Sequence, residues 1–381
     1  MGASSRVSVL IPTYNRARYL RECLESILAQ TVAPFEVIVI DDGSEDETPE
    51  AVAAFGPAVR YLRKDNGGKP RAINFALPEV RGEFVWIFDD DDVALPDAIE
   101  RRLAVLTRRP ELGFVLTGHY LGTDGEDGRM LRGAEYRVPE IAESELWLAL
   151  MRGCFVTMQS MLVRTAILRQ AGEFDPQLVT SEDYDMMLRL AALAPFALLN
   201  VPTFIFRQHS GVRGPRGQQY EAVRRQRMFQ RHDGVVGRKL RESLPLGAYL
   251  VPPTNESLGG AQRAAGLMSR MEVMASKGLI PEMLDDLVAA LQQHAEVGDD
   301  VRHSAERCCR AICTGYAYQA IAEDFPTFQT GVGSLKALPG GRAAILYLAR
   351  GFLRLAKSYP GSWADRLHRL IRAGRVALLA I

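Results

Sequence analysis

No run of about 18 apolar residues occurs in this 381-residue chain, so nothing in it reads as a membrane-spanning helix. Neither sign of charge predominates. Lys plus Arg number 46 and Asp plus Glu number 46, which leaves no general argument for nucleic acid as a partner. Cysteine is sparse: Cys23, Cys154, Cys308, Cys309 and Cys313 fit neither a disulfide framework nor a zinc site, and all five are expected as buried, reduced thiols. The Gly-x4-Gly-Lys-Ser/Thr loop of P-loop nucleotide hydrolases is missing. Met1 to Arg6 lead straight into a strand with no leader pattern, which gives the expectation of a cytoplasmic protein, either free or peripheral at the inner membrane face. There is no repeat of fixed period. The remaining composition, 47% hydrophobic and 24% charged, is ordinary for a globular chain of two or three domains.

The N-terminal half alternates apolar runs with helical periods. Strands are expected at 6–11, 35–40, 59–62 and 84–88, with helices at 16–30, 48–55, 71–77 and 97–108 between and after them, and Pro12 to Asn15 breaking the first strand. That alternation predicts a mostly parallel, Rossmann-like central sheet covered by helices. Beyond it, 113–121 and 129–138 read as a hairpin, 144–151 as a helix and 157–163 as a strand. Residues 181–194 read as a helix and 196–206 as a strand. From Gln218 onward no strand is apparent. A boundary near 245 therefore separates an α/β catalytic domain, 1–245, from an all-α region, 246–381.

The fourth strand ends in Asp89, Asp90, Asp91 and Asp92. Four adjacent carboxylates repel one another and must be solvated, paired or bound to a cation. Hard divalent ions take oxygen ligands of this kind, usually beside substrate phosphates. Ligands of open α/β sheets bind beyond the carboxyl ends of the strands, where this cluster falls. A solvated acidic turn is the alternative. Leu95-Pro96 is expected to open the next helix. Other features carry two readings each. Tyr14 suits base stacking or a strand-end core. Asp41 and Asp42 suit ligand recognition or a helix N-cap. Asn66-Gly67-Gly68-Lys69 suits an anion site or an ordinary turn. Glu182-Asp183 suits acid–base work or first-turn carboxylates.

Several segments occur in a telling order: Val9 to Asn15, Asp41 to Ser44, Asn66 to Lys69 with Asn74, Asp89 to Asp92 with Pro96, Gly172 to Asp175, Glu182 to Asp185, and Arg207 to His209. This set resembles the family 2 inverting glycosyltransferases, which have the GT-A fold, over about residues 5–230. The resemblance implies a nucleotide-sugar donor, a UDP-sugar before a dTDP-sugar. It places Pro12, Tyr14 and Asp42 at the base, Lys69 or Arg71 at the diphosphate or ribose, and Asn15 and Gly68 among the substrate-binding residues. Asp89 and Asp90 fall at the ribose and a water-mediated metal contact, and Asp91 with His209 as ligands of Mn²⁺ or Mg²⁺. Asp183 becomes the general base of a hexosyl transfer that inverts the anomeric centre, with Glu182 on sugar hydroxyls. Ile73 stands where many relatives have Arg.

The same resemblance suggests that the loop from Gln208 to Gly217, with Arg207, Arg213 and Arg216, orders over the diphosphate. Thr157 to Ser160 then lie on the acceptor side, while Trp147 reads better as core. The acceptor is expected to be a glycan, a lipid-linked sugar or a small molecule. The rival reading is a catalytically silent sugar-nucleotide-binding module in a glycan-assembly complex. The C-terminal helices repeat Arg and Lys from Arg350 to Arg375, and no clean polar face can be drawn from sequence. They suit peripheral membrane contact, a homo-oligomer or a solvated face.

Overall fold

The computed structural model describes residues 6–209, 222–293, 303–304, 307, 321, 325–358 and 363–381. It divides into two compact units, Met1–Glu143 with Cys154–Arg225, and Ser144–Gly153 with Gln226–Ile381.

Strand β1 (Val7–Thr13) is buried along its whole length because it lies inside the sheet. It pairs in parallel with β2 (Glu36–Asp41) on one side and β4 (Phe84–Ile87) on the other, and β3 (Arg60–Arg63) adds in parallel to β2. Three chain segments therefore leave the sheet at one rim, after Thr13, Asp41 and Ile87. Pro12 does not end β1: it sits opposite Ile40 within the ladder. The β1–β4 pairing stops at Leu10 and Ile87, so the missing proline N–H costs no ladder bond there.

Helices α1 (Ala17–Leu28), α2 (Thr48–Ala53), α3 (Lys69–Ala76) and α4 (Ala98–Arg108) connect these strands and continue the chain. Val7, Val9 and Ile11 alternate along β1 and join Leu20, Leu24 and Ile27 of α1 in one apolar cluster with Trp86, Phe88 and Leu106. Helix α4 begins at Ala98 after Asp97, so Pro96 lies in the preceding turn and not in the first helical turn.

The sheet then becomes mixed. The short β5 (Val93–Ala94) runs antiparallel to β9 (Phe196–Arg207), β9 is parallel to β6 (Phe114–Asp124), and β6 carries β7 (Met130–Tyr136) as a hairpin. Strand β8 (Leu162–Arg164) bridges β6 and β4, antiparallel to both. The strand expected at 157–163 is mostly a turn. Met158–Ser160 form one 3₁₀ turn, closed by the Ser160 hydroxyl on the Thr157 carbonyl, because Trp86 and Arg102 both hydrogen-bond the Gln159 carbonyl from the core. Helix α5 (Leu146–Arg152) belongs to the second unit, whereas α6 (Thr165–Ala171) and α7 (Glu182–Leu193) complete the first.

Among the described residues no strand follows β9. The chain continues as α8 (Ala222–Ser243), α9 (Gly260–Ser276), α10 (Ile280–Gln293), α11 (Phe325–Ser334), α12 (Gly341–Ser358) and α13 (Trp363–Leu378). Helix α5 is anchored there by Arg152 on the buried Glu272 at 2.5 Å and by the Trp147 indole on the Ala248 carbonyl at 2.8 Å. Cys23 is buried, but Cys154 is exposed, against the expectation of buried thiols; Cys308, Cys309 and Cys313 lie outside the described residues.

The base of the parallel half is closed by Gly82, whose N–H donates to Ser8 Oγ. A Cβ there would meet Arg6 O and Ser8 Oγ at 2.6 Å and Ser8 N at 2.7 Å, while a Cβ on Gly153 meets nothing within 4 Å. Gly82→Ala should lower stability by about 1–3 kcal/mol, as overpacking does, and Gly153→Ala should be close to neutral. Urea unfolding of both variants checks this; equal midpoints would contradict it.

Candidate functional site

The rim shared by β1, β2 and β4 gathers most of the residues singled out in the sequence. Asp41, fully buried, accepts the Ser44 N–H at 2.7 Å and the Tyr61 hydroxyl, and so closes the turn after β2. Asp42 points to the next loop. It accepts from Gly68 N at 2.6 Å, Gly67 N at 3.0 Å, Asn66 Nδ2 at 3.1 Å and Lys64 Nζ at 2.7 Å. The approach needs glycine twice. Gly68 has φ +91°, and a Cβ on Gly43, at φ +84°, would lie 2.8 Å from Asn66 N. Asn15, at φ 53°, clasps the loops after β1 and β2: its N–H donates to Ser44 Oγ and its Oδ1 accepts from Glu45 N. Tyr14 is half-buried beside it, and the exposed Arg71 lays its stem over Gly67.

The acidic turn is met from all sides. Asp89 pairs with Lys69 Nζ at 2.5 Å and accepts from Gln159 Nε2 at 2.6 Å. Asp90 accepts from Thr13 Oγ1 at 2.6 Å and pairs with Arg16 at 3.0 Å. Asp91 lies 2.7 Å from Arg16 Nη1 and 2.8 Å from His209 Nε2. Asp92 accepts from Gln159 Nε2 at 2.7 Å and from Arg207 N at 2.8 Å. Burial, opposed by Arg16 and reinforced by Asp91, raises the Asp90 carboxyl to about 6.

One oxygen each of Asp89, Asp91 and Asp92 lie within 4.8 Å of one another. Hard oxygen donors at that spacing, with an imidazole beside them and no thiolate, fit a hard divalent cation. The expected metal pair, Asp91 and His209, is thus brought together, and Asp92, given no individual role within the tetrad by sequence, joins the cluster with Asp89. Asp90, by contrast, is tied to Thr13 and Arg16.

Helix α7 supplies the opposite wall. Its N-cap Ser181 is left-handed, at φ 63°, a strained value for a non-glycine residue. Glu182 is buried and Asp183 half-buried; Asp183 Oδ1 accepts the Tyr184 N–H at 2.8 Å. Asp185 is taken by Arg189 at 2.9 Å and serves the helix. Lys69 reaches Glu182 Oε1 at 3.8 Å as well as Asp89, so one ammonium joins the two acidic groups. Burial works against that charge, but Asp89, Glu182 and Asp183 outweigh it and hold the ammonium above its usual range. Burial and the neighbouring Asp183 raise Glu182 to about 8. Asn74 fastens the 172–175 segment through both the N–H and the carbonyl of Phe174, and Ile73 is fully buried core.

Arg207 corrects the sequence reading. Its side chain is wholly buried, paired with Glu22 and Asp124, and its Nε donates to the Asp91 carbonyl at 2.7 Å. It props the acidic turn from within and cannot cover a diphosphate. Arg213, Arg216 and the rest of the expected gating loop past His209 lie outside the described residues. Gln159, Arg16 and Thr13 were missed. Gln159 sat in a segment read for the acceptor side, yet its fully buried amide links Asp89 to Asp92. Only the cation at Arg16, directly after the Pro12–Asn15 segment, was visible as a signal.

Residues 8–168 match the family model described as glycosyl transferase family 2. An uncharacterized glycosyltransferase of Rickettsia felis is 32% identical over 200 residues, covering 50% of this chain and 32% of that protein. The chondroitin synthase of Pasteurella multocida is 32% identical over 197 residues, covering 51% of this chain and 20% of that protein. The chain thus spans about a third of the length of the first curated relatives it matches. Among solved structures, residues 1–349 of TarS from S. aureus, in complex with UDP-GlcNAc, align with a TM-score of 0.54 at 20% identity, covering 85% of this chain and 90% of that one. That likeness is one of fold, the GT-A arrangement of a mixed, curled sheet between helices. The span that matches the model of glycosyl transferase family 2, residues 8–168, contains the acidic turn and the three strand ends around it.

Proposed function

We propose that this chain is a metal-dependent, inverting glycosyltransferase that moves a sugar from a UDP-sugar to an acceptor hydroxyl. The observation that carries the reading is the acidic turn of Asp89 to Asp92 joined through Lys69 to the Glu182–Asp183 helix start. The bound UDP-GlcNAc of TarS, a protein of the same fold, supports the choice of donor. Pro12, Tyr14 and Asn15 line the base side and Asp42 takes the imide N–H. One of the loop donors on Asp42 then yields its place, which couples base recognition to the Asn66–Gly68 loop. Gly68, Lys69 and Arg71 face the diphosphate and Asp89 the ribose, while Asp90, with both oxygens held by Thr13 and Arg16, fixes the turn and not the sugar. Mn²⁺ or Mg²⁺ held by Asp91 and His209, with Asp89 or Asp92 beside them, would neutralise charge on the diphosphate.

Asp183 takes the proton of the acceptor hydroxyl while that oxygen attacks the anomeric carbon. The new C–O bond forms on the face opposite the breaking bond to UDP, whose diphosphate keeps the electron pair, so configuration inverts. Glu182, held protonated by burial and by Asp183, offers an O–H to a sugar oxygen without adding charge beside the base. Acceptors that fit this chemistry are a glycan, a lipid-linked sugar or a small molecule with a free hydroxyl.

Asp183→Asn is expected to cut transfer about 10²–10⁴-fold and leave UDP-sugar affinity within a small factor; undiminished transfer would remove Asp183 from this role. A silent binding module would instead show no transfer in the parent chain with any donor of a nucleotide-sugar panel. Calorimetry with UDP should show tighter binding when Mn²⁺ is added to the parent chain and no such gain in Asp91→Ala. A gain that survives the substitution would exclude Asp91 as a ligand.

Glu182 also gives a pH signature. Its folded pKa, about 8, lies above the ordinary value of 4.5, so its contribution to stability is full below about 4.5 and is lost as pH rises through about 8. Glu182→Gln cannot ionise and should lose less stability than the parent between about pH 5 and pH 9. Parallel pH–stability curves would count against a buried, protonated Glu182.

A further inference from the structure

The helical unit segregates charge. Residues 341–381 hold eight Lys or Arg side chains and one acid, Asp365, in a chain whose basic and acidic residues balance overall. Sequence alone drew no clean face for them; the structure does. Helix α12 buries Ala344, Ile345, Leu348, Ala349, Phe352 and Ala356. At about 100° per residue, Arg342, Leu346, Arg350 and Lys357 fall in an arc of about 80° on its other side, and all four are exposed. The helix contains no acid at all, so none of the i, i+4 carboxylate–ammonium pairs that usually solvate such a face is present.

Helix α13 buries Ala373 and Val376 and exposes His368, Ile371, Arg375 and Leu378, again within about 80°. Leu346 is 41% exposed, Ile371 50% and Leu378 67%.

The cations of α12 and the large aliphatic side chains of both arcs, with no acid within either arc and Asp365 exposed about 60° beyond His368, fit one kind of surface. Nucleic acid is bound through cations with aromatic rings for stacking, and these arcs carry no aromatic side chain other than His368. A second copy would bring like charge against like. An anionic leaflet satisfies both halves: phosphates meet the Arg and Lys heads, and the aliphatic side chains enter the headgroup–acyl boundary. No helix among the described residues is long and apolar enough to cross a membrane, so the contact is peripheral.

We propose that the exposed arcs of α12 and α13 dock the protein on an anionic bilayer surface through Arg342, Arg350 and Lys357, with Leu346, Ile371 and Leu378 inserted, while Arg375 keeps its guanidinium over the Phe325 ring. This goes beyond the transfer reaction and does not depend on it.

The test is sedimentation of the full chain with vesicles of phosphatidylcholine, with and without phosphatidylglycerol, at low and high salt. Binding should require phosphatidylglycerol and weaken with salt. The triple variant Arg342→Gln, Arg350→Gln, Lys357→Gln should bind about a hundredfold more weakly, from about fivefold for each lost charge. The double variant Ile371→Ser, Leu378→Ser should lose the binding that persists at high salt. Unchanged circular dichroism in both variants guards against misfolding. Equal binding to both vesicle types, or a triple variant that binds like the parent, would overturn the proposal. So would a concentration-dependent dimer, by light scattering, that Leu346→Ser and Ile371→Ser abolish, since the arcs would then be a self-interface.

Discussion

Four carboxylates in a row at the end of a buried strand repel one another, and the α/β unit is arranged around that repulsion. Each acid is met by donors from distant parts of the chain: Lys69 and Gln159 on Asp89, Thr13 and Arg16 on Asp90, Arg16 and His209 on Asp91, Gln159 and the Arg207 backbone on Asp92. These partners come from β1, the residue before α1, the start of α3, the turn before β8, and the end of β9 with the residues just past it. The turn can exist only when the sheet has closed. In the low dielectric of the rim, losing one partner leaves a buried charge uncompensated, which is far more destabilising than losing a surface pair.

The same arrangement places the second acidic group. Lys69 opens α3 directly after Gly68 and stands between Asp89 and Glu182. Its single charge offsets repulsion between Asp89 and the carboxylates that open α7. Backbone strain accumulates at the same rim, at Asn15 and at Ser181, the two non-glycine residues with positive φ among those described. Such values persist where surrounding contacts over-determine them. Asn15 shows how: both its amide N–H and its side-chain oxygen are committed to the β2 turn.

The parallel half was legible because its signal is local. Apolar runs at 6–11, 35–40 and 84–88 alternate with helical periods, and that spacing admits few topologies. The mixed half was less so. Val93–Ala94 is too short for a periodic signal, and residues 157–160 turn because Trp86 and Arg102 capture a carbonyl from elsewhere in the core. Among site residues, the acids and His209 announced themselves by type. Gln159 and Thr13 did not, since a lone amide or hydroxyl in an apolar segment carries no sign of what it will face. Arg207 carried the wrong sign, a cation read as a phosphate contact that the fold spends on Glu22, Asp124 and the Asp91 carbonyl.

By itself the sequence determined which side chains are acidic, where β2 and β4 end to within a residue and which helix starts with two carboxylates, because those follow from residue type and short-range periodicity. The tertiary structure decided which carboxylates converge, that Asp41 closes a turn while Asp42 faces the glycine loop, that Arg207 lies under the turn, and that the basic residues of α12 share one exposed arc. Those outcomes depend on contacts between segments far apart in the chain and on the rotation of each helix against its neighbours, and neither is encoded in any single stretch.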